Sequence, residues 1–187
     1  MEEVTATVVM EGAVVGPEVA EATTAEKKGF KVVVAVDDSE NSHYALSWAI
    51  DNILANRRED CQLVVLHVQH FVETTFMYPV AGHAVYAPTL SMDAVRKAHE
   101  ENSKRVISRA VDICKSKHVD ALTAVAEGDP KDAICEAAEK LHADLLVVGS
   151  RGLGMIKRAF LGSVSDYLAH HAKCPVLIVK PPKGSHK

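Results

Sequence analysis

The chain has 187 residues, 48% of them hydrophobic and 25% charged, with a formal net charge of −4. That length suits one ordinary domain with a short surplus, and a domain of about 150 residues hides enough surface to fold without a disulfide or metal staple. The acidic balance gives no support to nucleic-acid binding through a basic face, and apolar runs such as Leu145–Gly149 and Val176–Val179 are far too short to span a bilayer.

Cys61, Cys114, Cys135 and Cys174 are widely spaced, with no C-x-x-C among them. This argues against a zinc site or a dithiol redox motif and for inert thiols in a reducing compartment. The N-terminal stretch carries Glu2, Glu3 and Glu11 instead of a basic region followed by an apolar one. The expected location is therefore the cytoplasm.

Residues 1–29 are rich in Ala, Val, Glu, Thr and Gly and contain no aromatic residue. They read as a disordered acidic tail, followed by a domain over 30–182 and a flexible C-terminus over 183–187. Lys31–Asp37 is a short β-branched run, the pattern of a strand buried on both faces. Ser39 opens a helical stretch with Leu46, Ala49, Ile50, Ile53 and Leu54 on one stripe; the single tryptophan, Trp48, is expected against the sheet. Gln62–Val68 is a second strand. The segment from about His70 to Leu90, with Tyr78-Pro79, Gly82 and Ala87-Pro88, reads as a surface excursion.

Ser91–Lys117 is a long helix with Val106, Ala110, Ile113 and Cys114 on its apolar face. Ala121–Ala126 is a third strand, and Asp129-Pro130 a helix start with Asp as cap and Pro at the first helical position. Ile134, Ala137, Ala138 and Leu141 supply that helix's stripe, Asp144–Gly149 is the fourth strand, and Pro175–Lys180 the fifth. Five buried strands separated by amphipathic helices predict a doubly wound α/β fold, a five-stranded parallel sheet with helices on both faces. Ligands of such sheets sit beyond the carboxyl ends of the strands, where the winding reverses. Here that means Asp37-Asp38, Val68 to His70, and Gly149 onward.

The segment from Gly149 to Ser165 follows a strand and precedes a helix, where a phosphate loop belongs. Gly149 and Gly152 let the backbone turn sharply and approach a ligand. The helix opening at Gly162-Ser163-Val164-Ser165 offers unpaired amides and the positive end of its dipole. Ser163 and Ser165 hydroxyls add donors, and Arg151, Lys157 and Arg158 add positive charge. The bland reading is a glycine-rich connection to a serine-capped helix. Neither G-x-x-x-x-G-K-[ST] nor G-x-G-x-x-G is present.

Gly149-x2-Gly152-x9-Gly162-Ser163 resembles the G-x2-G-x9-G-[ST] signature of ATP-binding universal stress proteins. A first strand ending in Asp37, the His67-Val68 pair and the Lys173–Lys180 strand are similar as well, over roughly Phe30 to Lys180. The tail and the 70–90 insertion look like plant members. The resemblance implies an adenine nucleotide, ATP or AMP, with Asp37 contacting adenosine and assisting a metal such as Mg2+ or Mn2+. It implies that the Val68 backbone recognises adenine, that Gly149, Arg151 and Gly152 contact ribose and phosphate, and that Gly162, Ser163, Val164 and Ser165 contact phosphate. Ala35-Val36 stands where some nucleotide-binding members carry Pro-Thr, so a looser adenine pocket is expected there. Arg151 stands where His is frequent, and a guanidinium holds phosphate at least as well. The family also implies a homodimer through Val176–Val179, against the simpler reading of a fully buried fifth strand.

Other candidates read as structural. One of Asp37 and Asp38 caps the next helix in the simple account, with a ligand role favoured for Asp37 alone. His67 reads as a hydrogen-bonded core histidine, His170-His171 suits a helix C-terminus, and Ser39, Ser42 and His43 form no defensible triad. Three functions remain: a nucleotide-dependent regulatory switch, a slow ATP hydrolase without a Walker lysine, and a stress-induced holdase or redox chaperone in which nucleotide is incidental.

Overall fold

The computed structural model describes residues 9–10, 29–55, 60–69, 75–80, 83–88, 92–152 and 161–182. Most of the tail, Lys157, Arg158 and residues 183–187, each part of an expectation above, lie outside the described residues.

Strand β1 is Val9–Met10 and β2 is Phe30–Val36. Helix α1 is Glu40–Ala49, extended by a π-helical turn, Ile50–Leu54. Then come β3 (Cys61–Gln69), β4 (Thr75–Val80), β5 (His83–Pro88), α2 (Met92–Ser116) and β6 (Leu122–Glu127). Helix α3 (Pro130–Lys140), β7 (Leu145–Gly149), α4 (Ser163–His171) and β8 (Val176–Val179) complete the described elements. The five expected strands are β2, β3, β6, β7 and β8. They are parallel and ordered β6-β3-β2-β7-β8, so the winding reverses between β2 and β7.

Two expectations change. Val9 and Met10, read as tail, pair antiparallel with Val125 and Ala124 and add a sixth strand at the β6 edge. The excursion at 70–90 contains an antiparallel hairpin, β4 with β5, in register from Thr75–Pro88 to Val80–His83. Pro79 and Pro88 read as breakers, yet proline is tolerated where no ladder donor is needed, as at strand ends and edges.

Alternation along β2 divides the core. Val32, Val34 and Val36 pack with Leu46, Ala49 and Ile50 of the α1 segment and with Val106, Ala110 and Cys114 of α2; Tyr44 and Trp48 cover that cluster partly buried. Val33 and Ala35 face the other way, onto Ile134, Ala137 and Ala138 of α3 and Leu168 of α4. Strands β2, β3 and β7 are thus apolar on both faces because each is covered on both. Ion pairs tie α2 across α1: Arg105 to Asp38 at 2.9 Å, Arg109 to Glu40 at 2.8 Å and Lys117 to Asp51 at 2.6 Å.

Candidate functional site

All eleven expected contact residues line one cleft of about 450 Å3 at the carboxyl ends of the strands, across the switch point. Ala35, Val36 and Asp37 come from the end of β2, Val68 from β3, and Gly149, Arg151 and Gly152 from β7 onward. Gly162, Ser163, Val164 and Ser165 come from the start of α4. A second cavity, about 490 Å3, opens at the opposite ends of β3 and β6 beside Leu63, Val119 and Leu122, away from these groups.

The turn after β2 is fixed by its own side chains. The Ser39 amide donates to Asp37 Oδ1 at 3.1 Å, and the Ser39 hydroxyl donates to the same oxygen. Ser39, not an aspartate, is the N-cap of α1: its Oγ accepts from the Ser42 amide at 3.3 Å. Ser42 Oγ donates to the Asp37 carbonyl at 2.8 Å. Asp38 is not merely solvated either; it binds Arg105 at 2.9 Å and Arg109 at 3.6 Å, which holds α2 against this turn. The second carboxylate oxygen of Asp37 faces Gly152, where an added Cβ would stand 2.6 Å away.

The glycines serve close approach and not a sharp turn. Among described glycines only Gly128 has a positive φ, 128°. A Cβ on Gly149 would lie 3.0 Å from the Asn41 carbonyl carbon and oxygen, so this position is kept bare by α1 and not by a ligand. Gly162 is the N-cap of α4, extended at φ −68°, with no side-chain cap. Helical bonding begins where the Asp166 amide donates to the Gly162 carbonyl at 2.9 Å, which leaves the amides of Ser163, Val164 and Ser165 ahead of the ladder. Ser165 is corrected in one respect. Its hydroxyl donates to the Gly162 carbonyl (3.0 Å) and lies 3.2 Å from the Ser150 carbonyl, so it braces the loop and is not a free donor. The Gly162 amide donates to that same Ser150 carbonyl at 2.9 Å.

Sequence reasoning missed one wall of the cleft. His99, Asn102 and Ser103 line it from α2, and Pro130 and Ile134 from α3, beside Gln69 of the expected strand end Val68 to His70. A signal existed: Ser103 interrupts with a polar group the stripe that Val106, Ala110 and Cys114 continue, and it is buried. His67 is hydrogen-bonded as expected, Nδ1 donating to the Val36 carbonyl at 2.9 Å, but it also lines the cleft.

Burial pushes the His67 pKa below its ordinary 6.5, against the Val36 bond and the nearby Asp37 and Asp38. His43 is lowered likewise by burial, then by Arg109, and both of its ring nitrogens are buried with no partner among the described residues. Both rings are neutral in the fold, whereas the unfolded chain takes up their protons as pH falls past about 6.5. Stability is therefore present in full above that pH and declines below it. The urea midpoint should fall between pH 7.5 and 5.5, and His43→Leu should flatten part of that fall; equal slopes for the two proteins would refute the assignment to His43.

The sequence profile described as the universal stress protein family matches residues 30–180. The chain belongs to this family. Among its relatives, a universal stress protein A-like protein of Arabidopsis thaliana is 31% identical over 159 residues, covering 80% of this chain and 89% of the relative. A universal stress protein of Bacillus subtilis is 34% identical over 152 residues, covering 80% and 98%. A universal stress protein family protein from Arabidopsis thaliana solved with AMP bound superposes with a TM-score of 0.58 at 27% identity, covering 82% of this chain and 93% of that one. A universal stress protein in complex with cAMP gives 0.58 at 26%, covering 81% and 97%. Within this universal stress protein fold, no described helix is long and apolar enough to cross a membrane.

Proposed function

We propose that this universal stress protein binds an adenine nucleotide, ATP or AMP, in the cleft, with phosphate on the first turn of α4. The observation that carries the reading is the trio of unladdered amides at Ser163, Val164 and Ser165, opening onto the same cleft as Arg151 and Gly152. Unpaired amides and the helix dipole together favour an anion there. The AMP-bound and cAMP-bound relatives support the choice of nucleotide. Asp37 carries its second carboxylate oxygen toward Gly152 and would share a Mg2+ or Mn2+ ion brought in with the nucleotide; among the described residues no group of three or more ligating side chains would hold a metal by itself.

The protein acts, in this reading, as a cytoplasmic stress-response switch whose nucleotide occupancy alters partner binding, with at most slow hydrolysis. Burial raises the thiol pKa of Cys135 and Cys174, and that of Cys114 to about 11, which disfavours the thiolate that a thiol-based chaperone would use. Strand β8 ends the described sheet order with Val176, Leu177 and Ile178 half-buried, which supports a homodimer paired along it. Sedimentation at twice the 20.2 kDa chain mass is the expected reading, and a single monomeric species the contrary one.

Ser163→Pro tests the phosphate site. Proline is tolerated at the first helical position, and Gly162 already has the extended conformation (φ −68°, ψ 153°) that a following proline demands. The variant should keep its unfolding midpoint and lose at least about tenfold in calorimetric affinity for AMP or ATP, since it removes the Ser163 amide and hydroxyl donors together; Ser163→Ala, which removes the hydroxyl alone, should lose less. A wild-type chain that binds no adenosine phosphate below millimolar concentration would end the reading.

A further inference from the structure

The two edges of the main sheet differ. Strand β8 ends the order on one side, whereas on the other side β6 is met by β1. Val9 lies opposite Val125 and Met10 opposite Ala124, and this is the one antiparallel pairing in a sheet whose other strands are all parallel. Among the described residues, that register covers Val125 and Ala124 and no other position of β6.

Strand β6 lacks the devices that usually blunt an edge. From Leu122 to Ala126 it carries no charge and no proline, and Leu122 is 38% exposed. Such an edge offers a row of backbone donors and acceptors, and β1 shows that it takes an antiparallel partner. A second β6 is a partner of that kind. Turned about a symmetry axis at Ala124, it would set Leu122 opposite Ala126, Thr123 opposite Val125 and Glu127 opposite Ala121, with no like charges face to face.

We propose that β1 is a stop strand: it occupies the β6 edge in place of β6 from a second copy of this chain, and its release lets molecules associate there. A strand carried on the same chain, joined to β2 through residues 11–28, acts at an effective concentration on the order of millimolar, so a free copy at micromolar concentration does not displace it. The contact stands apart from nucleotide binding, since neither Ala124 nor Val125 lines the cleft. It also stands apart from pairing along β8. With β8 paired, release of β1 opens a second edge and growth has no natural end; with β8 unpaired, association stops at two copies.

Sedimentation of the full chain carrying Val9→Pro and Met10→Pro tests this, because the prolines remove both amides with which β1 can bond to β6. Between about 1 and about 100 μM, well below the concentration of a tethered strand, the variant should reach at least about double the wild-type mass. Leu122→Lys, added at an exposed position, should return the variant to the wild-type mass, because a charge at the edge opposes pairing. A synthetic peptide of residues 5–14 at millimolar concentration should do the same by refilling the edge. A single cooperative urea transition checks that each variant is folded. A double-proline variant that sediments as the wild type does at every concentration overturns the proposal. Association that persists both with Leu122→Lys and with excess peptide overturns it as well, since another surface would then be responsible.

Discussion

Gly149→Val should lower the unfolding free energy by about 3 kcal/mol, read as a drop in the urea midpoint at unchanged slope. A bare Cβ at this position would already stand 3.0 Å from the Asn41 carbonyl and 3.1 Å from the Ser42 amide, and branching adds two methyl groups with no space to enter. The atoms in the way are backbone in the first turn of α1, so no rotamer change relieves the overlap. Either α1 lifts from β7 or the end of β7 bends. Both movements carry the Asp37–Ser42 turn with them, because Ser42 Oγ is bound to the Asp37 carbonyl at 2.8 Å. Loss of nucleotide affinity should accompany loss of stability. A variant as stable as the wild type would show that α1 approaches β7 less closely than described.

Gly152→Ala should separate those two quantities. Its new methyl carbon would lie 2.6 Å from Asp37 Oδ2, which is the end of a side chain, so the backbone keeps its path and stability should change by less than about 1 kcal/mol. The carboxylate must rotate, and its Oδ1 anchor to the Ser39 amide and hydroxyl opposes that. Affinity for adenine nucleotide should fall about thirtyfold, as expected when a positioned polar group in a binding site is misdirected. A double-mutant cycle with Asp37→Ala identifies the cause. If Gly152→Ala acts through Asp37, the pair should bind no worse than Asp37→Ala alone. Additive losses would place the effect elsewhere in the loop.

Much of this architecture is written locally. Strands β2, β3 and β7 are legible because a strand covered on both faces needs an unbroken apolar run, and Val32–Val36, Leu63–Leu66 and Leu145–Val148 supply one each. Asp129-Pro130 announces α3, and the Asp129 carboxylate does accept from the Lys131 amide at 2.9 Å. What local pattern conceals is convergence. Gln69 and Ser103 are 34 positions apart, yet they share a hydrogen bond, and neither residue type signals a site alone. Gly149 was legible as a required glycine but not for its reason, since the obstructing backbone belongs to Asn41. Ser165 looked like a phosphate donor because its position in the helix start suggested one. Only the fold reveals that its hydroxyl is turned back onto the main chain. The hairpin of β4 and β5 was hidden by its prolines, whose effect depends on which side of a strand faces a neighbour.

The Ser150 carbonyl receives the Gly162 amide and lies within reach of the Ser165 hydroxyl, while its own residue's amide is held by the Val179 carbonyl at 2.9 Å. One residue, Ser150, therefore works as a clasp that fixes both feet of the intervening span to the sheet. Whatever side chains occupy that span, the feet keep their separation, and a longer or shorter span alters mainly the entropy of closing it, which grows only slowly with length. Change can accumulate between the feet while the frame that presents the helix start remains the same.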